Sequence, residues 1–137
     1  MKVINQIAPL DGQAETFFDV ARDGPLAMVN LLKFRARAEY PDGDRGLSGV
    51  EAYALYGREV MKLVAAHGGR FVYGGAISGL LVGEVEEQWD SFALVEYPSN
   101  AAFQAMIEGE AYQKILPHRM AGLAGQLDIR VQPFSAR

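Results

Sequence analysis

The chain has 137 residues, of which half are hydrophobic and none is cysteine. This length suits one domain with its own core, and the lack of cysteine excludes disulfides, thiolate catalysis and Cys-ligated metal sites. The net charge of −4 argues against nucleic-acid binding as the main function, because phosphate contacts need a basic surface.

The first residues do not have the pattern of a targeting segment. A signal peptide needs an unbroken apolar stretch, whereas Asn5, Gln6 and Pro9 interrupt the apolar residues here. No run approaches the ~18 apolar residues that a membrane-spanning helix needs. We therefore expect a cytoplasmic, soluble protein that does not bind membranes.

Residues 1–24 are predicted to be an N-terminal extension with a short helix, and residues 25–137 to be the domain proper. Apolar Ala14, Phe17, Phe18 and Ala21 recur at helical spacing between residues 11 and 22. Asp11 is a suitable N-cap, and the Gly-Pro pair at 24–25 ends the helix.

The domain proper alternates between strand and helix patterns. Short apolar runs or alternating patterns predict strands, and 3.6-residue periodicity predicts helices. The predicted strands are 26–35, 70–84, 89–97 and 127–134. The predicted helices are 50–67, a helix that opens at 98–100 and breaks at Gly109, and its continuation over 110–121.

The resulting order, βαββαβ, predicts an α+β ferredoxin-like fold, an antiparallel sheet with the helices on one face. Both faces of the sheet are apolar: in the first strand Met28 and Leu32 point one way and Val29 and Leu31 the other. The helices cover one face only. Soluble monomers avoid large apolar patches, so we predict a homodimer that packs sheet against sheet into a barrel-like core.

Three polar residues of the first strand are candidate ligand-binding residues. Asn30 lies among apolar neighbours and must be hydrogen-bonded, either to a ligand or to a neighbouring strand or helix. Lys33 and Arg35 lie on the opposite face, where they could hold a carboxylate or another small anion. Alternatively, they are solvated or form ion pairs with Glu51 or Glu59.

Further candidates come from the later elements. His118 could act as a general base near neutral pH if it faces a cavity, with the adjacent Arg119 binding substrate. Trp89 could be a ligand platform or could close one end of the barrel, and Tyr56 is a candidate aromatic wall. The histidines and carboxylates lack metal-site spacing, so we expect neither a metal nor a cofactor.

Two long stretches resemble a family catalogued as domain of unknown function 1330. They are WDSFALVEYPSNAAFQAMIEGEAYQ from Trp89, continuing to HRMAGL, and MVNLLKFRARAEYPDGDRGLSGVEAYALYG from Met28. The resemblance spans Pro25 to Leu127. It implies membership of the dimeric α+β barrels, a group that includes cofactor-independent monooxygenases, muconolactone isomerases, haem proteins and stress-response proteins. It supports the fold and the homodimer and implies no particular activity.

Two functional hypotheses follow. The first is a pocket between sheet and helices for a small aromatic or anionic metabolite, with proton transfer or cofactor-free oxidation or isomerisation. The second is a non-catalytic dimeric stress-response or partner-binding module, with residues 37–46 as its exposed contact. A ligand-sized cavity shared by Asn30 and His118 would favour the first.

Overall fold

The computed structural model describes residues 2–19 and 23–134. Eight helices and strands follow one another along these residues. They are α1 (Gln13–Phe18), β1 (Leu26–Phe34), α2 (Gly49–Ala66), β2 (Arg70–Ala76), β3 (Ser91–Tyr97), α3 (Asn100–Glu108), α4 (Glu110–Gly122) and β4 (Leu123–Val131).

The four strands form one sheet in the order β2-β3-β1-β4, and every neighbouring pair is antiparallel. This confirms the predicted ferredoxin-like α+β fold. None of the helices in the part of the chain that the structure describes combines the length and apolar character needed to cross a bilayer.

The core lies between the sheet and α2. Helix α2 begins with a capping box, in which Ser48 and Glu51 each accept a hydrogen bond from the other's backbone N–H. Its buried side chains recur every four residues, so they form one stripe along the helix. The stripe consists of Ala52, Tyr56, Val60 and Val64, and the last three pack in one cluster with Leu26, Met28, Val95 and Tyr97 of the sheet.

Three backbones meet where β1 ends, α2 begins and α4 ends. A Cβ added at Gly49 would lie 2.0 Å from the Arg35 carbonyl oxygen and 2.7 Å from that of Gly122. The Arg35 N–H donates to the Gly122 carbonyl at 2.8 Å, and the Gly49 N–H donates to the Arg35 carbonyl at 3.1 Å. The contact requires glycine at both helix ends because a side chain would push the backbones apart.

Several predicted strand boundaries are wrong. The second strand ends at Ala76 instead of residue 84; residues 77–90 form a loop that turns at Gly83, whose φ is +90°. The third strand begins at Ser91 instead of Trp89. The fourth begins at Leu123 instead of Leu127, and Gly125 lies inside it against the side chain of Asn5.

The N-terminal helix is shorter than predicted. It begins after Gly12, whose φ is +80°, so the proposed Asp11 N-cap is wrong. It ends at Phe18, and residues 20–22 of the predicted helix lie outside the described residues. Residues before α1 pack against the domain: the Gln126 N–H donates to the Gln6 carbonyl at 2.8 Å, which forms an isolated bridge at the edge of β4.

No helix of the described part of the chain covers the sheet's second face. Strand register places Val29 and Leu31 of β1 on this face together with Leu94 of β3 and Ile129 of β4. Ile129 is 45% exposed, and Tyr73 of β2 is 69% exposed. This apolar surface, which we term the open face, fits the sequence-based expectation that both sides of the sheet are apolar.

Two glycines of α2, one inside the three-backbone contact and one outside it, test the importance of that contact for stability. Replacing Gly49 by Ala should destabilise the fold by about 3 kcal/mol or more, because the new Cβ overlaps backbone atoms. Gly57, in the same helix, has no atom within 4 Å of its added Cβ, so Gly57→Ala should stabilise by ~0.5–1 kcal/mol. Urea denaturation of both variants measures the difference; equal stabilities would contradict the contact.

Candidate functional site

A cavity of about 380 Å³ lies between the N-terminal segment, residues 4–18, and the edge of the sheet formed by β4. Its volume is within the range of small-molecule sites. The N-terminal segment contributes more than half of the lining residues, with others from β1, α3, α4 and β4. They are Ile4, Gln6, Ile7, Ala8, Pro9, Leu10, Gln13, Ala14, Phe17, Phe18, Met28, Phe103, Ile107, Arg119, Gln126, Leu127, Asp128 and Ile129.

Aromatic side chains form one wall of the cavity. Phe17 and Phe18 of α1 meet edge to face with centroids 4.9 Å apart, and Phe18 lies 5.9 Å from Phe103 of α3. The Arg130 guanidinium covers the Phe17 ring at 4.1 Å and donates to the Phe17 carbonyl at 2.8 Å. Arg130 also donates to Asn100 Oδ1, so one cation ties α1 to the start of α3 and fixes the aromatic wall.

Strand register decides which residues of β4 face the cavity. Asp128 pairs with Asn30 and Gln126 pairs with Leu32, so both lie on the helix side of the sheet with the core residues of β1. Leu127 and Ile129 alternate with them and point towards the open face. The strand therefore brings a carboxyl and an amide to the polar end of the cavity.

Asp128 is the titratable group whose properties the cavity changes most. Asp128 lines the cavity and its side chain is solvent-exposed there, while neighbouring protein atoms crowd the carboxyl on its other sides. Burial raises the pKa of Asp128 to about 6, and the positive charge of Arg119 acts in the opposite direction. Such a carboxyl can accept or give a proton near neutral pH.

Arg119 supplies the positive charge at the cavity. Its guanidinium donates to the Ile7 carbonyl at 2.7 Å and to Gln126 Oε1. Among the residues that the structure describes, no ion pair joins Arg119 to Asp128. A guanidinium has five N–H donors, so donors remain for a ligand oxygen placed beside the carboxyl.

A chain of amides holds Arg119 in place. The amide nitrogen of Asn30 donates to the Met28 and Ala93 carbonyls at 3.3 Å, which leaves Asn30 Oδ1 as an acceptor. Gln126 Nε2 donates to that oxygen at 2.8 Å. Gln126 Oε1 must then face Arg119. Because backbone carbonyls fix the first amide, the direction of every later bond is fixed as well.

Two buried phenols interact electrostatically with Asp128. Burial raises the pKa of Tyr53, and the charge of Arg119 opposes this effect. Burial also raises the pKa of Tyr97, and the Asp128 carboxylate adds to that increase. Both phenols therefore keep their protons at neutral pH, and they contribute no charge to the site.

The structure places two predicted anion-binding residues outside this cavity. The Lys33 ammonium donates to the Gln88 carbonyl at 3.1 Å and forms ion pairs with Glu87 and Asp90 at 3.3 Å, and these contacts tie the 77–90 loop to β1. Arg35 pairs with Glu39 at 3.1 Å. The alternative ion pairs expected with Glu51 or Glu59 are wrong.

The other predicted residues also divide between the cavity and the rest of the fold. Arg119 lines the cavity, and Asn30 reaches it through Gln126. His118 Nδ1 lies 2.7 Å from the Tyr40 hydroxyl, and Tyr56 is buried with its hydroxyl 3.1 Å from that of Tyr112. His118, Tyr56 and Trp89 are not among the cavity-lining residues, so this cavity does not bring Asn30 and His118 together.

Asp128 and Gln126 were not recognised in the sequence. In LDIRVQPF the polar residues alternate with Leu127 and Ile129, and an alternating strand is normally read with its apolar side inward. Because the open face takes the apolar side chains, the polar ones face the cavity. Because both faces of the first strand are apolar, the apolar side of the fourth strand could equally have faced away from the helices, which would turn its polar side towards them.

Both the sequence and the fold resemble those of known proteins. The family model of the domain of unknown function (DUF1330) matches residues 47–129. The chain belongs to this family. A protein of unknown function from Rhodopseudomonas palustris is 36% identical to this DUF1330 protein, with 97% of this chain and 100% of that chain covered and a TM-score of 0.85.

More distant structures share the fold alone. A cofactor-independent oxygenase from Streptomyces nogalater is 10% identical, over 82% of this chain and 96% of that chain, with a TM-score of 0.51. A dabb family protein with a ferredoxin-like fold from Mesorhizobium loti is 10% identical, over 82% and 99%, with a TM-score of 0.50. No curated protein matches the sequence significantly.

The raised pKa of Asp128 predicts how stability depends on pH. The folded state binds this proton more tightly than the unfolded state, whose carboxyl has the ordinary value of 3.8. Stability should therefore fall as the pH rises from about 4 to about 6. Asp128→Asn removes this effect, so its Tm should exceed that of the wild type at pH 7 and the gap should close towards pH 4.

Asp44→Asn is the control of opposite sign. The Gly46 N–H, and then Arg37, lower the pKa of Asp44, so this carboxylate stabilises the fold above its ordinary pKa of 3.8 and loses that effect in acid. Its Asn variant should melt below the wild type at pH 7. Calorimetry across pH 4–8 compares the three proteins, and an Asp128→Asn variant that melts at or below wild type at pH 7 contradicts the assignment.

Proposed function

We propose that the DUF1330 protein binds a small, largely aromatic molecule with an anionic or carbonyl oxygen, and that Asp128 exchanges a proton with it. One observation carries the proposal: a carboxyl whose pKa burial raises to about 6 and a guanidinium that interacts with it electrostatically line the same ligand-sized cavity. Perturbed carboxyls that line a cavity mark candidate sites of acid–base chemistry.

The arrangement suits proton abstraction next to a carbonyl group. The Asp128 carboxylate takes a proton from the carbon beside the carbonyl, and the electron pair of that bond moves to the carbonyl oxygen. The N–H groups of Arg119 then stabilise the negative oxygen. In a ligand with a double bond next to that carbon, the proton returns to the far end of the double bond, the double bond moves into conjugation with the carbonyl, and no electron leaves or enters. This reaction needs only the carboxyl and the guanidinium.

The remaining lining supports the same chemistry. Phe17, Phe18 and Phe103 offer apolar surfaces for an aromatic ring. The amides of Asn30 and Gln126 keep Arg119 from turning away from the ligand. A cofactor-independent oxygenase of the same fold supports a cofactor-free reaction by analogy alone.

Hydrogen–deuterium exchange tests the proton transfer directly. Phenylacetone, a neutral aromatic ketone with exchangeable methylene protons, is incubated with the protein in D₂O and followed by NMR. We expect the wild-type chain to accelerate exchange and Asp128→Asn to lower the catalysed rate ~10²–10⁴-fold, as for loss of a general base. Arg119→Gln should also lower it, because the negative oxygen loses its partner.

Asp44→Asn and Arg58→Gln are the matched controls, since both residues are exposed and lie outside the cavity lining. Both should exchange at the wild-type rate. Exchange that is equally fast in Asp128→Asn would exclude this carboxyl as the base. Binding of phenylacetone with no catalysed exchange in the wild type would favour the non-catalytic alternative.

We also propose that the open face is covered by a second copy of the chain. Val29, Leu31, Phe92 and Leu94 form an apolar surface on one side of the sheet, and the helices occupy the other side. A two-fold axis would place identical apolar sheets against each other, which removes the patch from water in both copies. The ligand cavity remains on the helix side of each chain.

Leu94→Arg tests the homodimer because it places a charge at the centre of the open face, where Leu94 pairs with Val29. We expect the wild type to elute with the mass of two chains and the variant with the mass of one, measured by light scattering after gel filtration. Val50→Asp is the control: Val50 is 56% exposed on α2, and this variant should remain dimeric. A dimeric Leu94→Arg variant would place the interface elsewhere.

A further inference from the structure

The charged groups of the cavity are few, and their arrangement restricts the ligand. Among the described lining residues Arg119 is the one cation and Asp128 the one carboxylate. The other polar lining groups are the neutral amides Gln6, Gln13 and Gln126. An ionised Asp128 already balances Arg119, so the empty site is neutral overall above the pKa of that carboxyl.

Within residues 2–19 and 23–134, the neighbouring elements add no further free charge to the cavity lining. Tyr53 on α2 and Tyr97 on β3 interact with Asp128 and keep their protons. Arg130 of β4 is bound to the Phe17 carbonyl, to Asn100 Oδ1 and to the face of the Phe17 ring. In α3 Glu108 is exposed and accepts from Gln104.

The N-terminal segment and the rest of α4 keep their charges away from the cavity as well. Asp11 and Glu15 are exposed and do not line it, and Lys114 is exposed on α4. His118 lies against Tyr40. The described residues therefore leave Arg119 as the cation that a ligand and Asp128 must share.

We infer, building on the proposed function, that stable aromatic monoanions bind this site as analogues of the reaction intermediate, and that Asp128 takes up one proton when such an anion binds. Two negative charges close together beside one guanidinium repel each other. Protonation of Asp128 removes that repulsion. The carboxyl then changes from an acceptor into a donor that can reach the ligand oxygen.

The bound anion and the protonated carboxyl reproduce the charges of the proposed intermediate. In that intermediate the abstracted proton sits on Asp128 and the negative oxygen on Arg119. A stable carboxylate, phenolate or enolate in the same place is therefore an analogue of the intermediate, and a site built for the intermediate binds such analogues tightly. A neutral amide of the same shape lacks the charge and should cause no proton uptake.

Isothermal titration calorimetry of the full chain with 2-naphthoate and with neutral 2-naphthamide tests the inference. At pH 7 a group with a pKa of about 6 is about one-tenth protonated, so naphthoate should take up about 0.9 proton. Titrations in phosphate and in Tris, which differ in ionisation enthalpy, measure this number. The Kd for naphthoate should rise about tenfold per pH unit between pH 6.5 and 8, and that for naphthamide should stay constant.

Three variants assign the effect to its residues. Asp128→Asn should still bind naphthoate, with a Kd independent of pH and no proton uptake, because the amide is neutral at every pH. Asp44→Asn should behave as the wild type. Arg119→Gln should weaken naphthoate far more than naphthamide, since only the anion needs the guanidinium.

The outcomes separate this inference from the proposed function. Naphthoate binding without proton uptake, or with uptake that persists in Asp128→Asn, overturns the inference and leaves the pocket intact. Loss of naphthoate binding in Asp128→Asn also overturns it, because a neutral amide at this position should not repel the anion. Failure of both ligands to bind the wild type contradicts the proposed ligand class and the proposed function with it.

Discussion

The pairing of β4 with β1 is the constraint on which the site depends. Its antiparallel register puts Asp128 opposite Asn30 and on the helix side of the sheet. Successive side chains of a strand point to opposite faces, so the same pairing sends Leu127 and Ile129 to the open face. One strand thus serves two environments. A carboxyl that a solvated strand would present to bulk water instead meets a partly enclosed cavity, and burial changes its acidity.

The hydrogen bonds that start at Asn30 fix the orientation of the Arg119 guanidinium in that cavity. Buried amides are costly unless their donors and acceptors are paired, and here pairing begins at two backbone carbonyls and ends at Arg119. The guanidinium is consequently a fixed donor group, while Asp128 has no such partner among the described residues. A rigid cation beside a titratable carboxyl can bind an anion and respond to it by taking a proton.

The spacing of apolar residues and the positions of Gly and Pro at the ends of elements were enough to predict the fold. The stripe of Tyr56, Val60 and Val64 indicates one buried face of α2, and the apolar runs of β1 and β3 indicate a sheet with two apolar sides. The site was predicted only in part. Arg119 was a candidate, but Asp128 was missed because alternation shows that a strand has two faces and not which one is inward. The packing of Phe17 over the sheet edge is a tertiary contact with no local signal.

The N-terminal segment holds the polar groups of the site through its backbone alone. Arg119 donates to the carbonyl of Ile7, and the Gln126 N–H donates to the carbonyl of Gln6; neither contact requires a particular side chain. The side chains of residues 4–18 give the cavity its shape, and these residues lie outside the stretch that matches the family model. More than half of the cavity lining thus lies outside the family stretch, whereas Asp128 and Arg119 lie within it. Exchanging this segment between relatives is the natural way to alter ligand preference while Asp128 and Arg119 stay in place.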